Sequence, residues 1–415
     1  MTLQDHAEPE QSGTFDVLQN RNYRHFLASR TCSSLASQSL TVAMGWMIYE
    51  MTGSAWMLGW VGFFQFLPML TLTFVVGTII DRHDRRRIGL ICQWLQALTV
   101  IVLGLFVWQG RLTPAGILAA VSVVGAAQAF ERPTMASLVP GIVGPRMLQR
   151  AIATSTSFMQ TALIVGPALG GVLYGFGHIV PFFVSGLLFL AAGYSVGTIQ
   201  VLNVAQTARP PVTLETVFAG VAFIRRTPAV LGMISLDLFA VLLGGATALL
   251  PIFASDILEA GPFGLGLLRA SPAIGALTMS VYLSRNPIVA GAGKKMFAAV
   301  AVFGLATIVF SLSANVWLSI LALFVVGAAD NISVVVRSSL VQLMTPDEMR
   351  GRVNAVNSLF IGTSNQLGEF ESGMLAGFLG PVAAGVIGGV GTLAVVVIWM
   401  SAFPVLRRIE RLDGR

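Results

Sequence analysis

Twelve times along the chain the side chains stay apolar for about twenty residues, the length an α-helix needs to cross roughly 30 Å of hydrocarbon. In the first half the runs lie near Phe26 to Tyr49, Trp56 to Ile80, Ile88 to Trp108, Thr113 to Val139, Ala151 to Phe176 and Ile179 to Leu202. In the second they lie near Ala229 to Ala254, Leu265 to Leu283, Met296 to Leu312, Val316 to Met344, Val353 to Leu379 and Val382 to Leu406. Only 11% of the 415 residues are charged, against about 25% in soluble domains. No water-soluble surface can be built from so few, and the expected class is all-α integral membrane.

Twelve spans put both termini on one side of the bilayer, and the basic residues indicate which. Of 25 Lys and Arg, the termini and even-numbered loops hold Arg21, Arg24, Arg82, Arg85, Arg86, Arg87, Arg146, Arg150, Arg209, Arg225, Arg226, Arg285, Lys294, Lys295, Arg350, Arg352, Arg407, Arg408, Arg411 and Arg415. The odd-numbered loops hold Arg111 alone. Basic residues beside short loops are retained in the cytoplasm, so both termini are expected there, in a bacterial inner membrane. The net charge of +6 is thereby a topology signal and not a nucleic-acid surface. The polar start, with Asp5, Glu8, Glu10 and Asp16, lacks the layout of a cleaved secretory signal.

The halves repeat. A shift of 202 residues lays Gly125-Ala126-Ala127 on Gly327-Ala328-Ala329, Arg150 on Arg352, and Gly166 with Gly171 on Gly368 with Gly373; a shift of 204 lays Gly62, Gln65 and Pro68 on Gly266, Arg269 and Pro272. The expected organisation is a tail (1–25), a six-helix bundle (26–202), a linker (203–228), a second bundle (229–406) and a short tail (407–415). Leu214, Val217, Phe218, Val221 and Ile224 stand at helical spacing in the linker, which predicts an interfacial helix capped by Thr213. Parallel repeats of this kind place a substrate site near the midplane between halves.

Charges inside spans must face a wet or protein-lined interior, because each costs roughly 2.5–3.5 kcal/mol in hydrocarbon. They are Arg30 in the first span, Glu131 and Arg132 in the fourth, Asp237 in the seventh, Arg269 in the eighth, Asp330 and Arg337 in the tenth, and Glu369 and Glu371 in the eleventh. The third, sixth, ninth and twelfth have none. Asp330 and Arg337, seven residues apart, share a face; Glu369 and Glu371 do not. A carboxyl at Glu369 or Asp330 suits a proton carrier, and structural ion pairing among Glu131, Asp237, Asp330 and the arginines is the alternative. Arg30, Arg132 and Arg337 would suit an anionic ligand. Trp46, Phe63, Phe64 and Phe66 could stack on a ring-bearing substrate or simply pack.

The second span ends in Gly77-Thr-Ile-Ile-Asp81-Arg82-His83-Asp84-Arg85-Arg86-Arg87, which resembles the G-x-x-x-D-R-x-G-R-R signature of the major facilitator superfamily. Asp84 replaces the usual glycine, which leaves a positive-φ turn there less assured. The resemblance implies that Asp81, within the set Gly77, Asp81, Arg82, Arg85 and Arg86, docks near the cytoplasmic end of the eleventh span and holds an inner gate closed. The fifth span carries Ala162-Leu-Ile-Val-Gly166-Pro167-Ala-Leu-Gly170-Gly171, which resembles the G-x-x-x-G-P-x-x-G-G motif of drug/proton antiporters. The strings from Leu40 to Gly53 and from Asn357 to Gly373 are similar to the branch containing the enterobactin exporter and related efflux proteins.

What the resemblance implies is a twelve-helix major facilitator fold, with the first, fourth, seventh and tenth spans lining a cavity and the charge-free spans facing lipid. It also implies efflux of a siderophore, drug or related amphipathic metabolite by alternating access, with protons as the coupling ion. A lipid or lysolipid flippase on the same fold, or a membrane binding protein that no longer transports, are the alternatives. No nucleophile-base pair, metal-ligand cluster or phosphate loop is evident, so neither an enzyme nor a cofactor is expected. The expected partners are the bilayer and a small-molecule substrate, with the chain a monomer.

Overall fold

The computed structural model describes residues 16–410 except 201–213, and leaves undescribed the side chains of residues 16, 73, 74, 78, 81, 145, 146, 214–217 and 355. The expected cap Thr213 and both outer tail segments therefore lie outside the described residues. Helices account for nearly all of the rest, and no strand occurs among the described residues.

Twelve long helices run across the molecule. They are α1 (Arg21–Thr52), α2 (Ala55–Arg82), α3 (Arg85–Trp108), α4 (Pro114–Gly144), α5 (Met147–Phe176), α6 (Val180–Gly197), α7 (Pro228–Ile257), α8 (Gly261–Arg285), α9 (Ala292–Leu312), α10 (Val316–Met344), α11 (Asp347–Leu379) and α12 (Pro381–Ala402). Ten are long and apolar enough to cross a membrane on length and composition alone; α1 and α11, the most polar, are the exceptions.

Local chemistry sets the ends. Asn20 caps α1 by accepting from the backbone N–H of Asn22 and Tyr23, Asp84 caps α3 through the N–H of Arg86, and Asn315 caps α10. α1 stops at Gly53, in the left-handed region at φ 58°. Gly144, at φ 71°, is the single non-helical residue between α4 and α5.

α7 is not one continuous helix, as the apolar run from Ala229 to Ala254 had predicted. It is α-helical over Pro228–Leu243, turns 3-10 over Ala246–Leu249 and becomes a π-helix over Phe253–Ile257. The break coincides with a close approach of α11: a methyl group at Gly245 would stand 2.6 Å from the Gly368 carbonyl oxygen. The adjoining Gly244-Gly245 pair supplies the backbone freedom for the break and admits α11 this closely.

We call the face where α1 begins and α12 ends the near face. One apolar core fills the far side and draws on both halves, with Leu40, Ile48, Phe182 and Phe189 meeting Leu249, Phe253, Leu265 and Phe310. On the near side the core divides. Tyr23, Phe26, Met135 and Ile142 belong to one half, and Met233, Met296, Val336 and Leu340 to the other. Among the described residues, the bundles share one core at the far face and have separate cores at the near face.

The linker helix (Leu214–Arg226) docks on the second bundle, with Ile224 buried in its near-side core and Gly220 against the Arg352 backbone of α11. Its Phe218 is 68% exposed. The charge-free helices carry large apolar side chains outward: Ile91 and Leu98 on α3, Leu187 on α6, Leu305 on α9 and Val397 on α12. Bands of that size on four helices fit contact with acyl chains.

Candidate transport pathway

In the second bundle, Asp237 of α7 forms an ion pair with Arg337 of α10, and the two side chains are only 9% and 5% exposed. Arg337 is therefore not a free ligand on an open wall: its charge is already matched inside protein. Asp330, two turns earlier on α10, shares with Asp237, Phe303 and Ser333 a cavity of about 10 Å³, room for one water. One arginine thus serves a site with two acids, and Asp330 is the acid with no ion pair among the described contacts.

In the first bundle Glu131 is 5% exposed and accepts hydrogen bonds from Ser33 Oγ of α1 at 2.9 Å and from Gln96 Nε2 of α3 at 2.8 Å. It points into the bundle and not onto an open wall. Arg30 of α1 acts electrostatically on Glu131 and directs Nη2 at the sulfur of Met159 in α5. Arg132, next along α4, is exposed. The partner sequence reasoning missed is Gln96. Together with the fully buried Gln93, it is a polar i, i+3 pair in a span assigned wholly to lipid, and that pairing was the available signal.

Glu369 lies where the halves meet. A methyl group at Gly62 of α2 would stand 3.2 Å from its Cβ and 3.3 Å from its Oε2. Arg269 of α8 acts on it as the opposing charge. Glu371, on another face of α11, is half-buried and accepts from Ser372 at 3.4 Å. Phe63 and Trp60 of α2 pack on Phe370 of α11, with ring centroids 5.2 and 5.3 Å apart. Phe66 is buried, and Trp46 lies edge-on to Tyr174. These rings hold helices together.

Two glycine seams close the far side. Along one, a methyl group at Gly373 of α11 would meet the Gly59 Cα of α2 at 2.5 Å; along the other, one at Gly266 of α8 would meet the Pro167 carbonyl of α5 at 2.7 Å. Gly171 packs reciprocally on the Pro262 carbonyl. Between the seams, the Tyr49 hydroxyl at the end of α1 donates to Asp256 in the π-helical turn of α7.

A family model described as transmembrane secretion effectors, one of the major facilitator families, matches residues 12–413. The chain belongs to that superfamily. A relative from Citrobacter koseri, an enterobactin exporter (EntS), is 26% identical over 407 residues that cover 94% of this chain and 93% of the relative. Among solved structures, the nucleoside transporter NupG superposes with a TM-score of 0.74 at 14% identity, covering 92% of this chain and all of that one. A bacterial homologue of the lysosomal transporter Spinster, inward-facing and occupied, gives 0.72 at 14% identity, over 97% and 99% of the two chains. The fold is the twelve-helix major facilitator fold, and the chain is a multi-span membrane transporter, not an enzyme.

The superfamily signature folds differently from the expectation at one point. Asp84 needs no positive φ: it sits at φ −62° and ψ 114°, extended, because an aspartate there caps α3 where the usual glycine would only turn. Burial pushes its carboxyl up, but the hydrogen bonds and charge of Arg86, with Arg87, outweigh this and hold it below the usual carboxylate range. Arg86 pairs with Asp84 at 3.0 Å and also donates from Nη1 to the Ile199 carbonyl beyond α6 at 2.9 Å. Gly77 faces open space, Arg82 is exposed and Arg85 is half-buried. The side chain of Asp81 lies outside the described residues.

In the antiporter-like string, Gly166 and Gly170 admit α1: methyl groups there would each stand 2.6 Å from α1, from Gln38 Cβ and the Ser39 carbonyl respectively. Gly171 and Pro167 face the opposite bundle. One string thereby sets packing within a half and between halves.

Proposed function

We propose that this protein is a proton-coupled exporter of amphipathic small molecules, such as siderophores or drugs, working by alternating access in a bacterial inner membrane with both termini cytoplasmic. The observation that carries the reading is, among the described residues, one far-side core opposed to two separate near-side cores, which is how a transporter loaded from the near face is built. The excess of basic residues on that face supports a cytoplasmic orientation, and the antiporter-like string and the exporter relative favour outward movement.

In this reading Arg30 and Arg132 attract the anionic part of a substrate, while Asp237 and Arg337 keep each other neutral. Asp330 and Glu369 are the proton-carrying candidates. Asp330 has no ion pair of its own, and Glu369 sits on the surface that α2 and α11 must part. Asp81 holds the near gate when it closes, so Asp81→Asn should favour the near-open state.

The test is uptake into everted vesicles, with and without an imposed pH gradient, comparing a catecholate siderophore, a cationic drug and a labelled lysolipid. Gradient-dependent uptake of either of the first two, abolished by Asp330→Asn or Glu369→Gln, is expected. Movement of lysolipid alone would replace this reading with flipping, and gradient-independent binding without uptake would reduce the chain to a binding protein.

A further inference from the structure

The far face holds a pocket that the transport pathway does not use. It has a volume of about 320 Å³ and opens between the bundles, lined by Tyr49, Ser54 and Trp56 from the first half and by Ile252, Asp256 and Ala376 from the second. Its floor is the Tyr49 to Asp256 hydrogen bond. The Trp56 indole is fixed by Gly377, over which it lies, and by the edge of Phe378 at 4.5 Å between ring centroids. Gly53, at the rim, faces open space.

The chemistry of the lining is one-sided. Two aromatic rings and a carboxylate converge, and no basic side chain is among the lining residues. Glu50 and Glu259 flank the pocket in sequence, with His178 3.9 Å from Glu50, and Arg111 is the one Lys or Arg of the odd-numbered loops. Glu50 is itself held by the Tyr174 hydroxyl at 2.7 Å. Asp256 is exposed and Tyr49 donates to its Oδ2 alone, so its other oxygen faces a second partner. Aromatic faces beside a carboxylate are a receptor for a soft cation, which gains from both the ring quadrupoles and the anion.

We infer that this far-face pocket is a binding site for small organic cations, protonated or quaternary amines carrying an apolar group. The site is distinct from the pathway that begins at the near face, and it exists only while both bundles meet there, since each contributes part of the wall.

The test is equilibrium binding of phenyltrimethylammonium to the purified full chain in an uncharged maltoside detergent free of amines, with benzenesulfonate as a probe of similar size and opposite charge. Saturable binding of the cation and none of the anion is expected. Asp256→Asn should weaken the cation by about tenfold, and Trp56→Leu by a smaller factor. Tyr49→Phe removes the hydrogen bond, which Asp256→Asn can keep through its amide oxygen, but retains ring and carboxylate, so its affinity should equal or exceed the parent's. Equal affinity in Asp256→Asn, binding of benzenesulfonate, absence of saturable binding, or a loss in Tyr49→Phe as large as in Asp256→Asn would each overturn the assignment. The last would trace any effect to the closed geometry instead of the charge.

Discussion

Asp237 and Arg337 neutralise each other within the second bundle, and Asp330 shares their cavity without an ion pair. Removing one partner of a buried pair strands the other charge. Arg337→Met or Asp237→Leu alone should therefore cost about 3–5 kcal/mol, while the double variant should return close to the parent's stability. Thermal unfolding of the purified variants in one detergent reads this; additive losses would mean that the two residues do not form a closed unit.

The glycine seams predict a conformational shift. Gly171→Val places branched carbon atoms against the Pro262 carbonyl across the bundles, and overpacking of that sort costs about 1–3 kcal/mol. The far-closed arrangement bears the cost, so the variant should label faster at a cysteine introduced on the far side, such as Ala376→Cys. Gly175→Val, at a position facing open space on the same helix, should leave labelling unchanged.

Asp84 predicts a pH-dependent cap. Asp84→Ala should lose about 1 kcal/mol by stranding an N-terminal N–H of α3, with Asp84→Asn losing less because its oxygen still accepts. The folded-state pKa is lowered, so the charge contributes above the ordinary carboxylate value of about 3.9 and is lost as pH falls through the lower folded value. The stability gap between parent and Asp84→Asn should be flat near neutrality and close in acid. Partial exposure keeps the gap small.

Glu131 predicts a stability defect that is separate from coupling. Glu131→Ala leaves Ser33 Oγ without its acceptor and Gln96 Nε2 with only the Cys92 carbonyl at 3.3 Å, a loss of roughly 1–3 kcal/mol. Glu131→Gln keeps one acceptor oxygen and should fall between. If both variants kept full stability, those hydrogen bonds would carry no weight in the bundle.

Much of this architecture was readable from the chain because a bilayer penalises polar groups so heavily. The charge-free spans turned out to be the ones that expose Ile91, Leu187, Leu305 and Val397. The runs in α1 and α11 were read as spans like the other ten, although these two helices fall short of a span on length and composition alone. The direction in which a charge faces was not readable. Spacing along a helix gives the angle between Glu369 and Glu371 but not which neighbouring helix each meets, and pairs such as Arg269 with Glu369 or Tyr49 with Asp256 join residues 100 and 207 positions apart. The break in α7 escaped because a reading by apolar run length passes over Gly244-Gly245, the local signal at which the α-helix ends.

Gly144 has a mechanical corollary. It is the one non-helical residue between α4, which carries Glu131 and Arg132, and α5, which carries the Gly171 seam. Under the alternating access proposed above, a joint that short would transmit torque: sliding at the outer end of α5 would tilt α4, so that unlocking the bundles and re-aiming a guanidinium would be one stroke of a crank. Lengthening that elbow with flexible residues would disengage the two ends while leaving each intact.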